Sequence, residues 1–241
     1  MCAARSIAVR TGRPQPAKTL AALAVLVGVA VAPATGGGAP VDLALVLAVD
    51  CSDSVDRREF RLQLDGLAYA FRDPAVIAAV RSGPRGRIAV AMFEWSDFYQ
   101  KTLVVDWTII DSQSSAEAVA RRIEQAPRVA VGGTSVSSAI RGGIEVLAIA
   151  PWLADRKVID VSGDGTNNAG ERPGAARDRA LVRGIVVNGL AITNNVPGLK
   201  TYYQNNVIGG PGHFVIETGN YQTFAEAMLR KLLREISKPV A

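Results

Sequence analysis

Cysteine and histidine are nearly absent from this 241-residue chain, which contains two cysteines and one histidine. Cys2 lies in the N-terminal segment described next, so Cys51 is the single cysteine of the remaining chain. A lone cysteine cannot form an intramolecular disulfide bond, and the fold must therefore depend on packing alone. The one histidine, His213, begins a predicted strand and has no nucleophile near it in sequence, which favours a structural role over a catalytic one.

The first 34 residues follow the order of basic, apolar and small residues that is typical of a secretory signal. Four basic residues and no acidic residue precede an uncharged apolar run at residues 20–31, and Ala32-Pro33-Ala34 comes next. This run is shorter than the ~20 apolar residues that a membrane-spanning helix needs. We expect residues 1–34 to be a signal peptide cleaved after Ala34, which predicts a periplasmic or secreted protein. The alternative is an uncleaved N-terminal anchor.

Most of the net positive charge of the chain belongs to this segment. The full chain carries +5, and four basic residues lie in the first 34 positions, which leaves about +1 for the rest. The rest has no stripe rich in lysine and arginine of the kind that marks a nucleic-acid surface. We therefore expect no nucleic-acid partner and, because a second long apolar run is absent, no membrane span after removal of the signal.

The chain after the signal alternates between apolar runs and segments with helical periodicity. Residues 41–49 (VDLALVLAV) are nearly all apolar, as expected of a strand buried on both faces of a parallel sheet. Asp56 and Glu59 form a possible capping box for the helix that follows. The apolar positions of that helix recur at spacings of four, three and four residues, at Phe60, Leu64, Leu67 and Phe71.

The same alternation continues to the C-terminus. Further strands are predicted at residues 88–93, 102–107 (at a sheet edge), 158–161, 185–192 and 214–216. Further helices are predicted at residues 75–80, 116–123, 136–149, 175–182 and 224–236. This order predicts an α/β fold with three layers, in which a doubly wound, mostly parallel sheet has helices on both faces, as in Rossmann-like folds. We expect one domain over residues 40–238.

Three polar loops follow predicted strands or precede a predicted helix at what should be one edge of this sheet. They are residues 50–54 (DCSDS), 132–135 (GGTS) and 162–168 (SGDGTNN). Ligands of open α/β sheets bind at the carboxyl ends of the strands, so these side chains should converge. Two carboxylates with hydroxyls and no softer ligand suit Mg²⁺, Mn²⁺ or Ca²⁺ and not zinc or copper. The predicted metal ligands are Asp50, Ser52, Ser54, Thr134 and Asp164.

This pattern resembles the metal-ion-dependent adhesion site of von Willebrand factor A domains. Asp-x-Ser-x-Ser occupies residues 50–54, Thr134 follows paired glycines, and Asp164 stands in a Ser-Gly-Asp-Gly loop. Thr134 follows Ser54 by 80 residues and precedes Asp164 by 30. The resemblance covers residues 40–237, and the chain is similar to secreted bacterial members of that superfamily whose function is uncharacterised.

The resemblance implies a role for each of the five residues. Ser52 and Ser54 would bind the ion through their hydroxyls, Thr134 directly or in exchange with water. Asp50 and Asp164 would act directly or through waters. The implied cofactor is Mg²⁺, with Mn²⁺ or Ca²⁺ possible, and in adhesive relatives a carboxylate of the partner fills the open coordination position. The leading hypothesis is therefore a non-enzymatic, cation-dependent binding module of the bacterial envelope or exterior, whose partner is a protein or peptide with an exposed acidic residue.

Two other functions are compatible with the same residues. The first is a hydrolase that uses the ion as a Lewis acid on phosphoesters or similar substrates. Neither a second pair of carboxylates nor an obvious general base accompanies the motif, which disfavours it. The second is a structural domain with a vestigial site, which the intact set of five ligands disfavours.

Several further residues flank the predicted ligands. We expect Asp53 to face solvent or cap the next helix, and Cys51 to be a small buried residue. Asn167 and Asn168 either support the ligands or set turn geometry. A last group follows the second strand and could rim the binding face, although the tryptophan could equally serve packing: Glu94, Trp95 and Asp97.

Overall fold

Six strands form a single sheet in the computed structural model, which describes residues 38–97 and 101–237. In chain order they are β1 (Gly38–Asp50), β2 (Ile88–Trp95), β3 (Lys101–Ile110), β4 (Trp152–Gly163), β5 (Ile185–Ile192) and β6 (Val215–Thr218). Their order across the sheet is β3-β2-β1-β4-β5-β6. The third strand is at one end of this order and therefore lies at an edge of the sheet, as predicted. Every neighbouring pair is parallel except β2 and β3.

Helices cover both faces of this sheet. They are α1 (Arg57–Arg72), α2 (Pro74–Ser82), α3 (Gln113–Glu124), α4 (Val136–Ala148), α5 (Pro173–Leu181), α6 (Leu199–Asn206) and α7 (Phe224–Ile236), with a short 3₁₀ turn at Tyr221–Thr223. The apolar side chains of α1, α2, α3 and α7 pack on one face, and those of α4, α5 and α6 pack on the other. This arrangement confirms the predicted three-layer α/β fold.

Strand β1 lies in the middle of the sheet and contributes side chains to both hydrophobic layers. Alternate residues belong to the layer of α1, α2, α3 and α7, namely Leu43, Leu45, Leu47 and Val49. The residues between them belong to the layer of α4, α5 and α6, namely Ala44, Val46 and Ala48. Burying each Leu or Val contributes roughly 1.5–3 kcal/mol. Because both faces are buried, the strand has no polar alternation, and its last residue, Asp50, is held firmly at the carboxyl edge of the sheet.

The beginning of α1 is set by the predicted capping box. Asp56 Oδ1 accepts a hydrogen bond from Glu59 N at 2.7 Å, and Glu59 Oε2 accepts one from Asp56 N at 2.9 Å. These bonds satisfy two of the backbone donors that a helix N-terminus leaves free. The cap stands two residues after Ser54, so it also fixes where the loop that follows β1 must end.

The largest differences from the sequence prediction concern two elements, α6 and β4. Helix α6 was not predicted, because Leu199 and Tyr203 are its only buried residues and the other positions are mostly polar. Strand β4 begins at Trp152, six residues before the predicted start. Its first six residues alternate between half-buried and exposed positions, and only the following part is buried on both faces. The apolar run in the sequence therefore predicted only the second half of the strand, which is buried.

All described residues belong to one compact unit, Gly36–Ala241. The predicted signal peptide, residues 1–34, lies outside the described residues, and its cleavage remains a prediction. Within the described part of the chain, no helix combines the length and the apolar character required to cross a membrane.

Candidate metal centre

The three predicted loops meet at the carboxyl edge of the sheet. Ser54 Oγ donates a hydrogen bond to Asp164 Oδ1 at 2.7 Å, which joins the loop after β1 to the loop after β4. A Cβ atom placed on Gly165 would lie 3.5 Å from Thr134 Oγ1, so the loop before α4 touches the same point. The five residues proposed from the sequence as metal ligands are thus brought together from distant parts of the chain.

In the loop after β1, the side chains of Asp50 and Ser52 are buried, as the alternation in sequence predicts. Asp50 Oδ1 accepts a hydrogen bond from Ser52 N at 2.8 Å, and the hydroxyl oxygens of Ser52 and Ser54 lie 3.1 Å apart. Asp53 and Ser54 are both exposed, although the Ser54 hydroxyl contacts Asp164. Short side chains with local hydrogen bonds of this kind hold a loop in a tight conformation.

Thr134 is held in place by Asn168. Its backbone N–H donates to Asn168 Oδ1 at 2.8 Å, and its carbonyl accepts from Asn168 N at 2.8 Å. The neighbouring Asn167 accepts through Oδ1 from Ser137 N at 3.1 Å. Both asparagines therefore join the loop after β4 to the start of α4, which is more than the turn role that their type alone favours.

Asp53 is exposed to solvent, which is one of the two roles expected from sequence, and it does not cap α1. Its carboxylate accepts from Gly132 N at 3.0 Å, and its N–H donates to the Gly132 carbonyl at 2.8 Å. Gly132 has φ of 116°, in the region that favours glycine. A Cβ atom there would also lie 3.1 Å from Asp97 Oδ2. Asp53 and Asp97 thus stand beside the glycine pair, and Asp56 is the residue that caps the helix.

Glu94 and Trp95 do not rim the binding face, because both side chains are fully buried within β2. Glu94 Oε2 accepts from Val129 N at 2.7 Å and from Ala130 N at 3.2 Å, which ties the segment before Gly132 to the sheet. Burial raises the pKa of Glu94. Cys51 is buried as expected, and burial raises the pKa of its thiol well above its usual range, so it stays protonated.

The two carboxylates of the centre are buried. Asp50 and Asp164 are at most 1% exposed, and the Oδ2 atom of each accepts no hydrogen bond from any described residue. Neither forms an ion pair within residues 38–97 and 101–237. Burial, with a further contribution from the charge of Asp164, raises the pKa of Asp50 to about 7. Two buried carboxylates at one point are costly unless a positive charge accompanies them.

The chemistry of this donor set fits a hard divalent cation. Its potential ligand atoms are carboxylate and hydroxyl oxygens, which Mg²⁺ and Ca²⁺ prefer. No group of three or more Asp, Glu, His or Cys side chains in the described residues is placed to hold a metal ion. A cation here would therefore be held by the two carboxylates together with hydroxyls and water. His213, on the loop before β6, makes its ring contact with the Gly210 carbonyl at 2.6 Å.

Sequence reasoning missed the aromatic residues that surround the carboxylates. Tyr203 and Tyr221 approach them from opposite faces of the sheet, and both are buried. Burial, followed by the charges of Asp50 and Asp164, raises the pKa of Tyr203 well above 10, so its hydroxyl keeps its proton. No local signal identifies these tyrosines, because Tyr203 belongs to the unpredicted helix α6 and Tyr221 to a short turn.

Solved structures with the same fold include three proteins from very different sources. Proximal thread matrix protein 1 from the mussel byssus, solved with a zinc-occupied MIDAS motif, is 15% identical with a TM-score of 0.61, over 83% of this chain and 49% of that chain. A von Willebrand factor type A protein from Catenulispora acidiphila is 15% identical with a TM-score of 0.54, over 83% and 43%. The pilus adhesin SpaC from Lactobacillus rhamnosus GG is 16% identical with a TM-score of 0.55, over 83% and 31%.

The present chain spans less than half the length of each of these structures. Identities this low establish a shared fold, that of von Willebrand factor A domains, and nothing about shared ligands. No protein with a curated description matches the sequence. A family profile, in contrast, matches residues 40–240, which is most of the chain. The chain therefore belongs to the family described as "Protein of unknown function (DUF1194)".

Proposed function

We propose that this protein is a divalent-cation-dependent binding module, in which Asp50, Ser52, Ser54, Thr134 and Asp164 hold the cation. The observation that carries the proposal is the buried pair Asp50 and Asp164, each with one carboxylate oxygen that accepts no hydrogen bond from the described residues. A cation would neutralise both charges and occupy both oxygens at once. This accounts for a polar centre that would otherwise destabilise the edge of the sheet.

Mg²⁺ is the cation that we propose for the resting protein. It needs few protein ligands, because it keeps several of its waters, and a shell of oxygen atoms is the one it prefers. Proximal thread matrix protein 1, which shares this fold, was solved with zinc in its MIDAS motif, so that motif holds a divalent ion in that protein. Mn²⁺ and Ca²⁺ are therefore also suitable probes of this site.

The partner that we propose is a protein or peptide with an exposed acidic side chain. When bound, the cation supplies positive charge and a coordination position that an anionic oxygen can fill. Two protein carboxylates only balance a divalent charge, so a third from the partner remains favourable. Ser54 is exposed beside the buried Ser52, which leaves this side of the site accessible. The relatives in fold include a matrix protein and a pilus adhesin, which agrees with a binding role in the envelope or outside the cell.

Titration calorimetry with Mg²⁺, Mn²⁺ and Ca²⁺ tests the proposal directly. We expect saturable binding at one site in the wild-type protein and its loss in Asp164→Ala. Asp65→Ala is the matched control, because Asp65 is an exposed carboxylate on α1 that pairs with Arg61 four residues away. A titration with free acetate present shows whether a carboxylate raises the affinity for the metal. Equal binding by Asp164→Ala and wild type would refute the assignment.

A further inference from the structure

The hydroxyl oxygen of the fully buried Tyr203 has no hydrogen-bond partner among the residues that the structure describes. Leaving a buried polar group unpaired costs about 1–3 kcal/mol. The role of the Tyr203 hydroxyl can be derived from its surroundings.

The distances around Gly163 set an upper limit on the separation between the Tyr203 hydroxyl and Asp50. A Cβ atom placed on Gly163 would lie 2.8 Å from Asp50 Oδ2 and 2.8 Å from the Tyr203 hydroxyl oxygen. The two oxygens are therefore no farther apart than twice that distance, which covers a direct hydrogen bond and one bridged by a single water. The Trp95 ring borders the same space, with Cζ2 3.3 Å from the position of that Cβ atom. Glycine at position 163 keeps this space open.

The backbone around Tyr203 is arranged to admit its ring. A Cβ atom on Gly189 of β5 would lie 2.7 Å from Tyr203 Cδ1, so a second glycine makes room for the side chain. On the same helix, the Tyr202 ring packs edge to face against Tyr203, with centroids 6.3 Å apart. The Tyr202 hydroxyl accepts a hydrogen bond from Asn167 N at 3.1 Å. Helix α6 thus contacts the loop that carries Asp164 and directs Tyr203 to the other carboxylate.

We propose that Tyr203 is a positioning residue for the metal centre, whose hydroxyl donates to Asp50 Oδ2, directly or through one ordered water, when a cation is bound. This inference rests on the proposed function, since it concerns the same site. Asp50 Oδ1 already accepts from Ser52 N, so a second donor at Oδ2 fixes the plane of the carboxylate. The carboxylate then presents its remaining lone pairs to a cation in one orientation. Hydrogen bonds of this kind to metal ligands commonly affect metal affinity about 10–100-fold.

The test compares wild type, Tyr203→Phe and Tyr69→Phe in Mn²⁺ titrations, with free Mn²⁺ followed by its paramagnetic resonance signal. Tyr203→Phe keeps the buried ring and removes the hydroxyl alone. Tyr69→Phe makes the same change at a 52% exposed position on α1. We expect Tyr203→Phe to weaken Mn²⁺ binding about 10–100-fold and Tyr69→Phe to leave it unchanged.

A second measurement separates positioning from a structural role. The free energy of unfolding in a chelator should not fall in Tyr203→Phe, because the hydroxyl that is removed has no partner among the described residues. The Mg²⁺-induced infrared band of the aspartate carboxylates should also shift in Tyr203→Phe, since that band responds to hydrogen bonding. Reduced stability with unchanged affinity would overturn the proposal.

The outcomes distinguish this inference from the proposed function. Mn²⁺ binding by wild type with equal affinity in Tyr203→Phe overturns the role of Tyr203 and leaves the metal site intact. Absence of binding in wild type refutes both. Should Tyr203→Phe fail to fold, a crystal structure of the Mn²⁺-loaded wild type decides the matter. A hydrogen bond of about 2.5–3.0 Å from the Tyr203 hydroxyl to Asp50 Oδ2, or to a water shared with it, supports the proposal, and any other partner overturns it.

Discussion

Ser54 and Asp164 are joined by a hydrogen bond of 2.7 Å although 110 residues separate them in the chain. The bond links the loop after the central strand β1 to the loop after its neighbour β4. Both loops are also tied to the segment before α4, through Asp53 with Gly132 and through Asn168 with Thr134. The centre is therefore held together by the protein itself, and a cation would enter a site whose backbone is already in place.

Asp50→Asn should abolish Mg²⁺ binding and stabilise the metal-free protein. Asparagine has the shape of aspartate, retains an acceptor for Ser52 N, and removes a buried charge that has no cation partner among the described residues. We expect the free energy of unfolding in a chelator at pH 8 to rise by roughly 1–3 kcal/mol. Denaturant unfolding and calorimetric titration measure the two effects. A variant that binds Mg²⁺ normally, or that is less stable without metal, contradicts this account of Asp50.

Thr134→Val should weaken metal binding, whereas Thr134→Ser should retain it. Valine matches the volume of threonine but lacks the hydroxyl that the proposed site requires, and serine keeps that hydroxyl. The backbone bonds of residue 134 to Asn168 are available to all three side chains, so the loop should stay in place. Calorimetric titration with Mn²⁺ compares the three proteins. Equal affinity of the valine and serine variants would exclude the Thr134 hydroxyl as a ligand.

Asp160 should make the protein less stable as the pH rises from about 4 towards 7. Lys231 Nζ lies 2.7 Å from Asp160 Oδ1 and 2.6 Å from Glu235 Oε1, and all three side chains are buried. Burial raises the pKa of Asp160 from 3.8 to about 7, against the opposing charge of Lys231. Within this range the folded protein holds a proton that the unfolded chain releases, so the free energy of unfolding falls with increasing pH.

Asp160→Asn removes this titration, and its unfolding free energy should decline less steeply over the same pH range. Asp65→Asn changes an exposed carboxylate and serves as the control. Denaturant unfolding at several pH values in a chelator provides the comparison. Parallel pH profiles for wild type and Asp160→Asn would show that Asp160 is already ionised in the folded protein.

Gly143→Ala should destabilise the protein by about 1–3 kcal/mol, because it overpacks the contact between α4 and β4. A Cβ atom on Gly143 would lie 2.7 Å from three side-chain atoms of Ile159, which is fully buried. Gly174→Ala on α5 is the matched control, since its new Cβ atom would meet no atom closer than 3.6 Å. Thermal or denaturant unfolding measures both variants. Equal stability of the two would mean that α4 can move away from the sheet at little cost.

Secretion of the full-length chain should yield a mature protein that begins near Thr35. The prediction follows from the order of basic, apolar and small residues in the first 34 positions. Intact-mass measurement of the exported protein identifies its first residue. A protein that still begins at Met1 would favour the uncleaved anchor.

The fold class could be predicted because its signals are local. The buried run of β1 and the capping box at Asp56 and Glu59 each act within a few residues, and both are confirmed. The five proposed ligands could also be named from sequence, because the carboxyl ends of parallel strands share one edge of a sheet. Helix α6 was missed because a helix that buries two side chains has almost no apolar periodicity.

The strands, most of the helices and the candidate ligand set could be predicted from the sequence, because they depend on burial patterns and on loop chemistry at strand ends. The contacts that support these ligands depend on the tertiary structure and could not be predicted. Asp53 binds Gly132, Glu94 holds the segment at residues 129–130, and Tyr203 faces Asp50. Each of these contacts joins residues far apart in the chain, and a hydrogen bond between two loops depends on distances and directions that only the packing of helices on the sheet can set.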